Sequence, residues 1–162
     1  MVGRARAEVA LETQKVKRVL VAVDGSDDST RAAKAAISIA KKFGAELIVC
    51  HVIPTPAYSS TQVGTSNLAN ALNVYLEAAR KDADNMVDEV AQLAENDGVK
   101  TVCVIQENVF SIVEAVVSLA EKRKVDLIVM GTRGQSGFKK LLMGSVSSGV
   151  ITHAHCSVLV VR

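Results

Sequence analysis

Short apolar runs alternate with longer segments of helical periodicity, and this alternation restricts the possible folds more than any other feature of the sequence. Runs rich in valine, isoleucine and leucine predict strands at 17–23, 45–53, 99–105, 125–130 and 157–161. The segments between them repeat apolar residues at three- and four-residue steps, which predicts helices. Strands that alternate with helices of this length predict βαβ units and a parallel sheet, with helices on both of its faces.

The predicted helices differ in how well their ends are marked. The first helix covers about 28–43 and is expected to end at Gly44 as a left-handed cap. The second covers 67–96 and carries apolar residues at helical spacing from Leu68 to Leu93. Asn108 is expected to cap the third helix, and the fourth, short helix covers about 144–153. The predicted buried face of the third helix consists of Ile112, Val113, Val116, Val117 and Ala120.

Length and hydropathy predict one cytoplasmic domain. The chain has 162 residues, 49% of them hydrophobic, enough to bury a full core. We expect residues 1–16 to form an N-terminal extension and 17–162 to form the domain. The charged extension has no apolar stretch typical of a secretory signal, and no apolar run approaches the ~20 residues of a membrane span.

Charge and cysteine content argue against a nucleic-acid binder and against a protein held together by disulfides. The 19 basic and 17 acidic residues nearly balance, and aromatic residues make up 3% of the chain, so a nucleic-acid binder is not expected. Cys50, Cys103 and Cys156 are odd in number and form no CxxC pair. Each lies in or beside a predicted strand, which predicts buried thiols in a reducing compartment.

Glycines at a particular spacing follow the fourth predicted strand. Gly131 and Gly134 are followed nine residues later by Gly144 and a hydroxyl residue, Ser145. Given the average glycine content, this pattern is expected by chance in fewer than about one chain in a hundred. Glycines permit positive φ and close approach of the backbone to an anion, and the amides of 144–147 would open a helix. We therefore predict a phosphate site, to which the hydroxyls of Ser145, Ser147 and Ser148 would add donors.

Other features of this loop leave alternatives open. The P-loop pattern GxxxxGK[ST] is absent. Lys139, Lys140 and Arg133 are candidates for phosphate contact, but charged side chains in a polar loop are usually only solvated. A long flexible loop that ends in a glycine N-cap is the simpler alternative.

Asp24, at the end of the first predicted strand, is the second candidate for a ligand contact. A carboxylate would repel phosphates, so we expect Asp24 at the adenosine end, where it would accept a hydrogen bond from a ribose hydroxyl or the adenine amino group. The alternative is an N-cap for the first helix, but Ser26, Asp27 and Asp28 are also placed to cap it. Val52, after the second strand, is a further candidate, through its backbone groups.

Four segments together resemble the universal stress protein family: VLVAVDGSDDS, HVIP, DLIVMGTRGQSGFKKLLMGSVSSGVI and the final VLVVR. The resemblance covers residues 16–162, and the glycine motif is typical of the ATP-binding branch of the family. It implies an α/β, Rossmann-like fold with a five-stranded parallel sheet in the order 3-2-1-4-5. It also implies a homodimer, paired through the last strand at 157–161.

The resemblance also implies a set of ligand contacts. ATP would be bound with Mg²⁺ or Mn²⁺ between its phosphate oxygens. Adenosine contacts are implied for Ala22, Asp24, Val52, Met130 and Gly131, and phosphate contacts for Gly134, Gly144, Ser145, Val146 and Ser147. The sequence departs from the family pattern at Ala22, where some members have proline, and at Ser157, where proline is common and where a change would affect the edge strand and the dimer.

Several functions remain compatible with these residues. No convincing general base lies near the glycine loop, which favours a nucleotide-dependent sensor or switch in a stress response, with an unknown protein partner, over an enzyme. A slow Mg-dependent ATPase, a binder of AMP or cyclic AMP, and an adenylating enzyme are the alternatives. A zinc site would have to use the cluster His153, His155 and Cys156 or the pair Cys50 and His51, which falls short of four well-placed ligands.

Overall fold

The strands and helices follow one another in the predicted alternation. The computed structural model describes residues 15–55, 65–134 and 143–162, with side chains from residue 70 onward in the second range. The elements are β1 Arg18–Ala22, α1 Asp27–Phe43, β2 Glu46–Pro54, α2 Thr65–Asn96, β3 Thr101–Val109, α3 Ile112–Lys122, β4 Leu127–Gly131, α4 Ser145–His153 and β5 Ser157–Val161. All strand pairs are parallel, in the order β3-β2-β1-β4-β5, so the predicted fold class and strand order are confirmed.

The central strand β1 determines which residues meet at the carboxyl edge of the sheet. Ala22, its last residue, is in register with Cys50 of β2 and Met130 of β4. The chain reverses its direction of winding at β1, with β2 and β3 on one side and β4 and β5 on the other. In open parallel sheets, ligands bind beyond the carboxyl ends of strands at such a point.

Two apolar layers cover the two faces of the sheet. Val19 and Val21 of β1 belong to the layer that includes buried residues of α1 and α2, whereas Leu20 belongs to the layer built with α3 and α4. Side chains that alternate between two buried faces explain why the strands read as continuous apolar runs.

The second helix is buried along only part of its length. Among its residues with a described side chain, Ala83, Val87, Val90 and Ala94 are buried, whereas Leu72 and Ala79, nearer the start of the helix on the same face, are only partly buried. The 32 residues of α2 span about 48 Å, and the nine residues of β2 span about 30 Å. The helix is therefore longer than the sheet it packs against, and its apolar periodicity continues beyond the core.

The boundary between β3 and α3 differs from the prediction. β3 continues to Val109, and Asn108 lies within it at a φ of 57°, so the prediction that Asn108 caps a helix is wrong. Ser111 caps α3 instead, by accepting a hydrogen bond from the amide of Glu114. The sequence QENV at the end of β3 is polar because this strand lies at the edge of the sheet, where no residue of β3 is fully buried.

The predicted buried face of α3 is correct in part. Val116 and Ala120 are buried as predicted. Ala115 and Leu119 complete the buried face, whereas the predicted Ile112, Val113 and Val117 are only partly buried. Gly44 caps α1 at a φ of 64°, as predicted.

The three cysteines are free thiols in different environments. Cys50 is buried, and desolvation raises the pKa of its thiol to about 12. Cys156 is partly buried, and Cys103 is exposed on the edge strand β3, so the prediction of three buried thiols holds only for Cys50. Within the three described ranges, no helix is long and apolar enough to cross a membrane.

Candidate functional site

A cleft opens at the carboxyl ends of β1, β2 and β4 and is bounded by the start of α4. It encloses about 700 Å³, including its open mouth. The structure brings together along this cleft every residue of the predicted nucleotide site: Ala22, Asp24, Val52, Met130, Gly131, Arg133, Gly134, Gly144, Ser145, Val146 and Ser147. Their contacts with a ligand remain a prediction.

One half of the cleft has apolar walls built by strands. Ala22, Met130 and Val52 come from β1, β4 and β2. Sequence reasoning missed further lining residues: Val23, Ser29, Cys50, Ile112 and Val116. Cys50 was recognisable, because it is two residues before Val52 on the same strand and therefore on the same face. Nothing in the sequence indicated that α3 lies beside the ends of these strands.

The other half of the cleft is polar and lies at the start of α4. Ser148 donates the first hydrogen bond of the helical ladder, from its N–H to the carbonyl of Gly144, at 3.0 Å. The amides of Ser145, Val146 and Ser147 therefore precede the ladder and have no acceptor four residues back within the helix. Such a helix start favours an anion.

Two donors predicted for the phosphate site are already used within the protein. The N–H of Gly144 donates to the carbonyl of Thr132 at 2.7 Å. The Ser147 hydroxyl donates to the carbonyls of Thr132 at 2.9 Å and of Gly144 at 3.0 Å, and Ser147 is buried. Both groups join the start of α4 to the end of β4, and their contact with a phosphate stays a prediction.

The motif glycines are needed for close packing. A Cβ atom on Gly131 would lie 2.8 Å from the backbone carbon of Asp28, and one on Gly134 would lie 2.5 Å from a carboxylate oxygen of Asp24. A Cβ on Gly144 would lie 3.3 Å from the carbonyl oxygen of Thr132. None of the three glycines has a positive φ, so this part of their predicted role is wrong.

Asp24 lies at the rim of the cleft, where Ser26 holds it. Its Oδ1 accepts hydrogen bonds from the hydroxyl of Ser26 at 2.6 Å and from the amide of Ser26 at 3.1 Å. The same hydroxyl accepts from the amide of Ser29 and so caps α1. The expectation that a neighbour of Asp24 caps the helix is thus confirmed.

A second carboxylate, that of Asp28 in the first turn of α1, contacts the residues that follow β4. Its Oδ2 accepts from the hydroxyl of Thr132 at 2.6 Å and from the amide of Arg133 at 3.2 Å. The guanidinium of Arg133 lies 3.6 Å from the same oxygen, and Arg31 binds the other oxygen. The Thr132 hydrogen bond, helped by the two arginines and opposed by desolvation, holds the pKa of Asp28 below its usual value. Sequence reasoning considered Asp28 only as a cap.

The remaining candidates lie elsewhere in the chain. Lys139 and Lys140 fall outside the described residues. His155 and Cys156 line a different cavity, at the amino end of the sheet, with Asp126. His51 Nδ1 lies 2.8 Å from the carbonyl oxygen of Val23. Among residues with a described position, no group of three or more His, Cys, Asp or Glu is placed to hold a metal ion.

Comparison of the whole chain with known proteins finds one matching family and several similar solved structures. The universal stress protein family model matches residues 15–162. Universal stress protein MJ0531 of Methanocaldococcus jannaschii is 39% identical over 147 residues, which cover 90% of this chain and 82% of that protein. The solved structure of universal stress protein UspA from Lactobacillus plantarum has a TM-score of 0.81 at 26% identity, over 91% of this chain and 99% of that one. A universal stress protein solved in complex with cAMP has a TM-score of 0.64 at 26% identity, over 91% and 98% of the two chains.

Proposed function

Because the chain belongs to the universal stress protein family, we propose that it binds an adenine nucleotide, with ATP as the main ligand, and acts as a nucleotide-dependent switch. The observation that carries this proposal is the division of one cleft into an apolar half and a half that presents helix-start amides. A nucleotide has the same division, between a flat base and a charged phosphate chain.

In the proposed complex, the adenine lies against the strand ends. Ala22, Val52 and Met130 provide apolar contact there, and the backbone of Val52 would meet the polar edge of the base. Asp24 at the rim would accept a hydrogen bond from a ribose hydroxyl, an interaction worth about 1.5–3 kcal/mol when the acceptor is charged.

The phosphates would lie at the start of α4. The amides of Ser145, Val146 and Ser147 would donate to phosphate oxygens, and the helix dipole adds about half a positive charge at this point. Asp28 is already bonded to Thr132 and Arg133, so it is poorly placed to bind a cation. A Mg²⁺ or Mn²⁺ ion would therefore be held through phosphate oxygens, whose charge it would offset.

A switch fits the lining better than a rapid ATPase does. Fast hydrolysis requires a group that orients the attacking water. The only carboxylate among the described lining residues is that of Asp24, which we place at the adenosine end. A slow Mg-dependent ATPase remains the enzymatic alternative, and single-turnover hydrolysis faster than about 0.1 s⁻¹, still well below the ordinary enzyme median, would contradict the switch.

A cyclic nucleotide is the second candidate ligand. It is favoured by the similarity to the universal stress protein that was solved in complex with cAMP. Competition between ATP, AMP and cAMP for the purified protein would rank the three ligands.

The proposed function is tested by identifying the nucleotide that the protein retains. Mass analysis of the material released from freshly purified protein is expected to find an adenine nucleotide. Gly144→Val is expected to abolish retention, because Gly144 has an ordinary φ of −76° but its new side chain would crowd the start of α4. Ala154→Val also introduces a valine, at the other end of α4, and is expected to retain the nucleotide. Retention by Gly144→Val, or no binding of any adenine nucleotide at millimolar concentration, would overturn the proposal.

A further inference from the structure

Thr132 uses all of its polar groups to join separate parts of the fold. Its N–H donates to the carbonyl of Val161 at the end of β5, at 2.9 Å. Its hydroxyl donates to Asp28 in the first turn of α1. Its carbonyl accepts from both Gly144 and Ser147 at the start of α4. Since Thr132 is itself buried, these bonds are shielded from competing water.

The hydrogen bond between Asp28 and Thr132 fixes the position of Thr132 relative to α1. Asp28 lies in α1, and Gly131 packs so closely on its backbone that no Cβ fits between them. The hydroxyl of Thr132, one residue later, is fixed 2.6 Å from the Asp28 carboxylate. The carbonyl of Thr132 is thereby held where Gly144 and Ser147 reach it. The position of the start of α4 thus depends on the hydrogen bond between Thr132 and Asp28 of α1.

The charge of Asp28 is balanced locally. An ionised carboxylate so near a proposed phosphate site would repel the ligand. Arg31 and Arg133 each form an ion pair with it, and Arg133 also donates its backbone amide. Asp28 can therefore hold Thr132 in place with little repulsion of an anion.

We infer that Asp28 and Thr132 are positioning residues, which hold the start of α4 in its phosphate-binding geometry before the ligand arrives. This inference rests on the proposed function and deepens it, because it assigns phosphate binding and adenosine binding to different sets of residues. The adenosine walls come from strand residues such as Ala22 and Val52, which do not depend on Thr132. Loss of the pair should weaken the binding of phosphates and leave adenosine binding unchanged.

The test compares ATP with adenosine by calorimetry for the full chain. Thr132→Val keeps the shape of the side chain and removes the hydroxyl. It is expected to weaken ATP binding about tenfold and to change adenosine binding by less than about twofold, in line with the loss of one hydrogen bond to a charged group. Thr132→Ser restores the hydroxyl and should restore ATP affinity. Thr101→Val removes a hydroxyl hydrogen bond at the amino end of the sheet, from Thr101 at the start of β3 to the carbonyl of Val99, and should bind both ligands as the wild type does.

The outcomes separate this inference from the proposed function. Wild-type protein that bound neither ligand would overturn the proposed function and the inference with it. If the wild type bound both, equal losses of ATP and adenosine affinity in Thr132→Val would show a general structural effect and overturn the inference alone. Unchanged ATP affinity would do the same. Should Thr132→Val not fold, Thr132→Ala, which also removes the hydroxyl and leaves the Asp28 carboxylate in place, must show the same selective loss of ATP affinity or the inference fails.

Discussion

At the amino end of the sheet, Gly44 and Gly98 follow the last turns of α1 and α2 with φ values of 64° and 72°, and a Cβ atom on either would meet nothing within 4 Å. The glycines of the motif at the carboxyl end show the reverse. Gly131 and Gly134 have no positive φ, and a Cβ on either would lie within 3 Å of an aspartate. Gly44 and Gly98 permit a backbone conformation with positive φ at helix ends, whereas Gly131 and Gly134 permit close contact between two segments of the chain.

This difference shows what the glycine motif does in the protein. Its glycines allow two aspartates from the β1–α1 segment, Asp28 and Asp24, to lie directly against the segment that follows β4. Asp28 then bonds to Thr132 and Arg133, and Asp24 lines the cleft. The motif therefore builds the site by packing, in addition to exposing amides at Ser145 and beyond.

The largest effect is expected from Gly131→Ala. The new methyl group would meet the backbone of Asp28 at 2.8 Å, and the backbone of a helix cannot turn away as a side chain can. We expect a loss of about 1–3 kcal/mol of unfolding free energy, typical of overpacking, together with loss of ATP binding. Urea denaturation and calorimetry measure the two effects.

Gly98→Ala is the matched control for this variant. It introduces the same methyl group into open space at a positive φ, so it should cost about 1 kcal/mol of stability through backbone strain alone. Its ATP affinity should equal that of the wild type. If Gly98→Ala lost ATP affinity as Gly131→Ala does, the distinction between the two kinds of glycine would be wrong.

A smaller effect on stability is expected from Gly134→Ala. Its Cβ would lie 2.5 Å from Oδ2 of Asp24, and the far end of a side chain shifts at lower cost than backbone does. Unfolding free energy should fall by less than about 1 kcal/mol, whereas adenosine affinity should fall about tenfold, because Asp24 would leave its proposed place beside the ribose.

A double-mutant cycle checks that this effect acts through Asp24. In an Asp24→Ala background, Gly134→Ala is expected to cause no further loss of adenosine affinity, since the group it displaces is already gone. Additive losses in the double variant would show that Gly134 acts by another route.

The sequence was sufficient for the features that depend on local pattern. Apolar runs located four of the five strands to within about two residues, because a strand buried on both faces is apolar along most of its length, but β3 extends four residues beyond its predicted end at 105. The strand order came from the family resemblance and was confirmed. Eleven of the sixteen described residues that line the cleft were predicted, some from the spacing of Gly131, Gly134 and Gly144 and others, such as Ala22 and Met130, only from the family resemblance.

The features that the sequence did not predict depend on contacts between distant segments. Asp28 and Thr132 are 104 residues apart, and nothing in either segment indicates the bond between them. The amide of Gly144 was expected to face a phosphate because a helix start normally leaves it unpaired, but the carbonyl of Thr132 occupies it. Periodicity likewise could not show that α2 is longer than the sheet, since the partly buried Leu72 and the buried Val90 belong to the same apolar pattern.

The smallest effect on ligand binding is expected at Gly44, where only the backbone conformation matters. Its amide caps α1 at a φ of 64°, a conformation that asparagine adopts more readily than alanine. Gly44→Ala should lower the unfolding free energy by about 1 kcal/mol, and Gly44→Asn by about half as much. Urea denaturation of both variants provides the measurement, with ATP affinity unchanged in each. If Gly44→Asn were no better tolerated than Gly44→Ala, steric contact rather than φ would govern this position, and the amino-end glycines would resemble those of the motif after all.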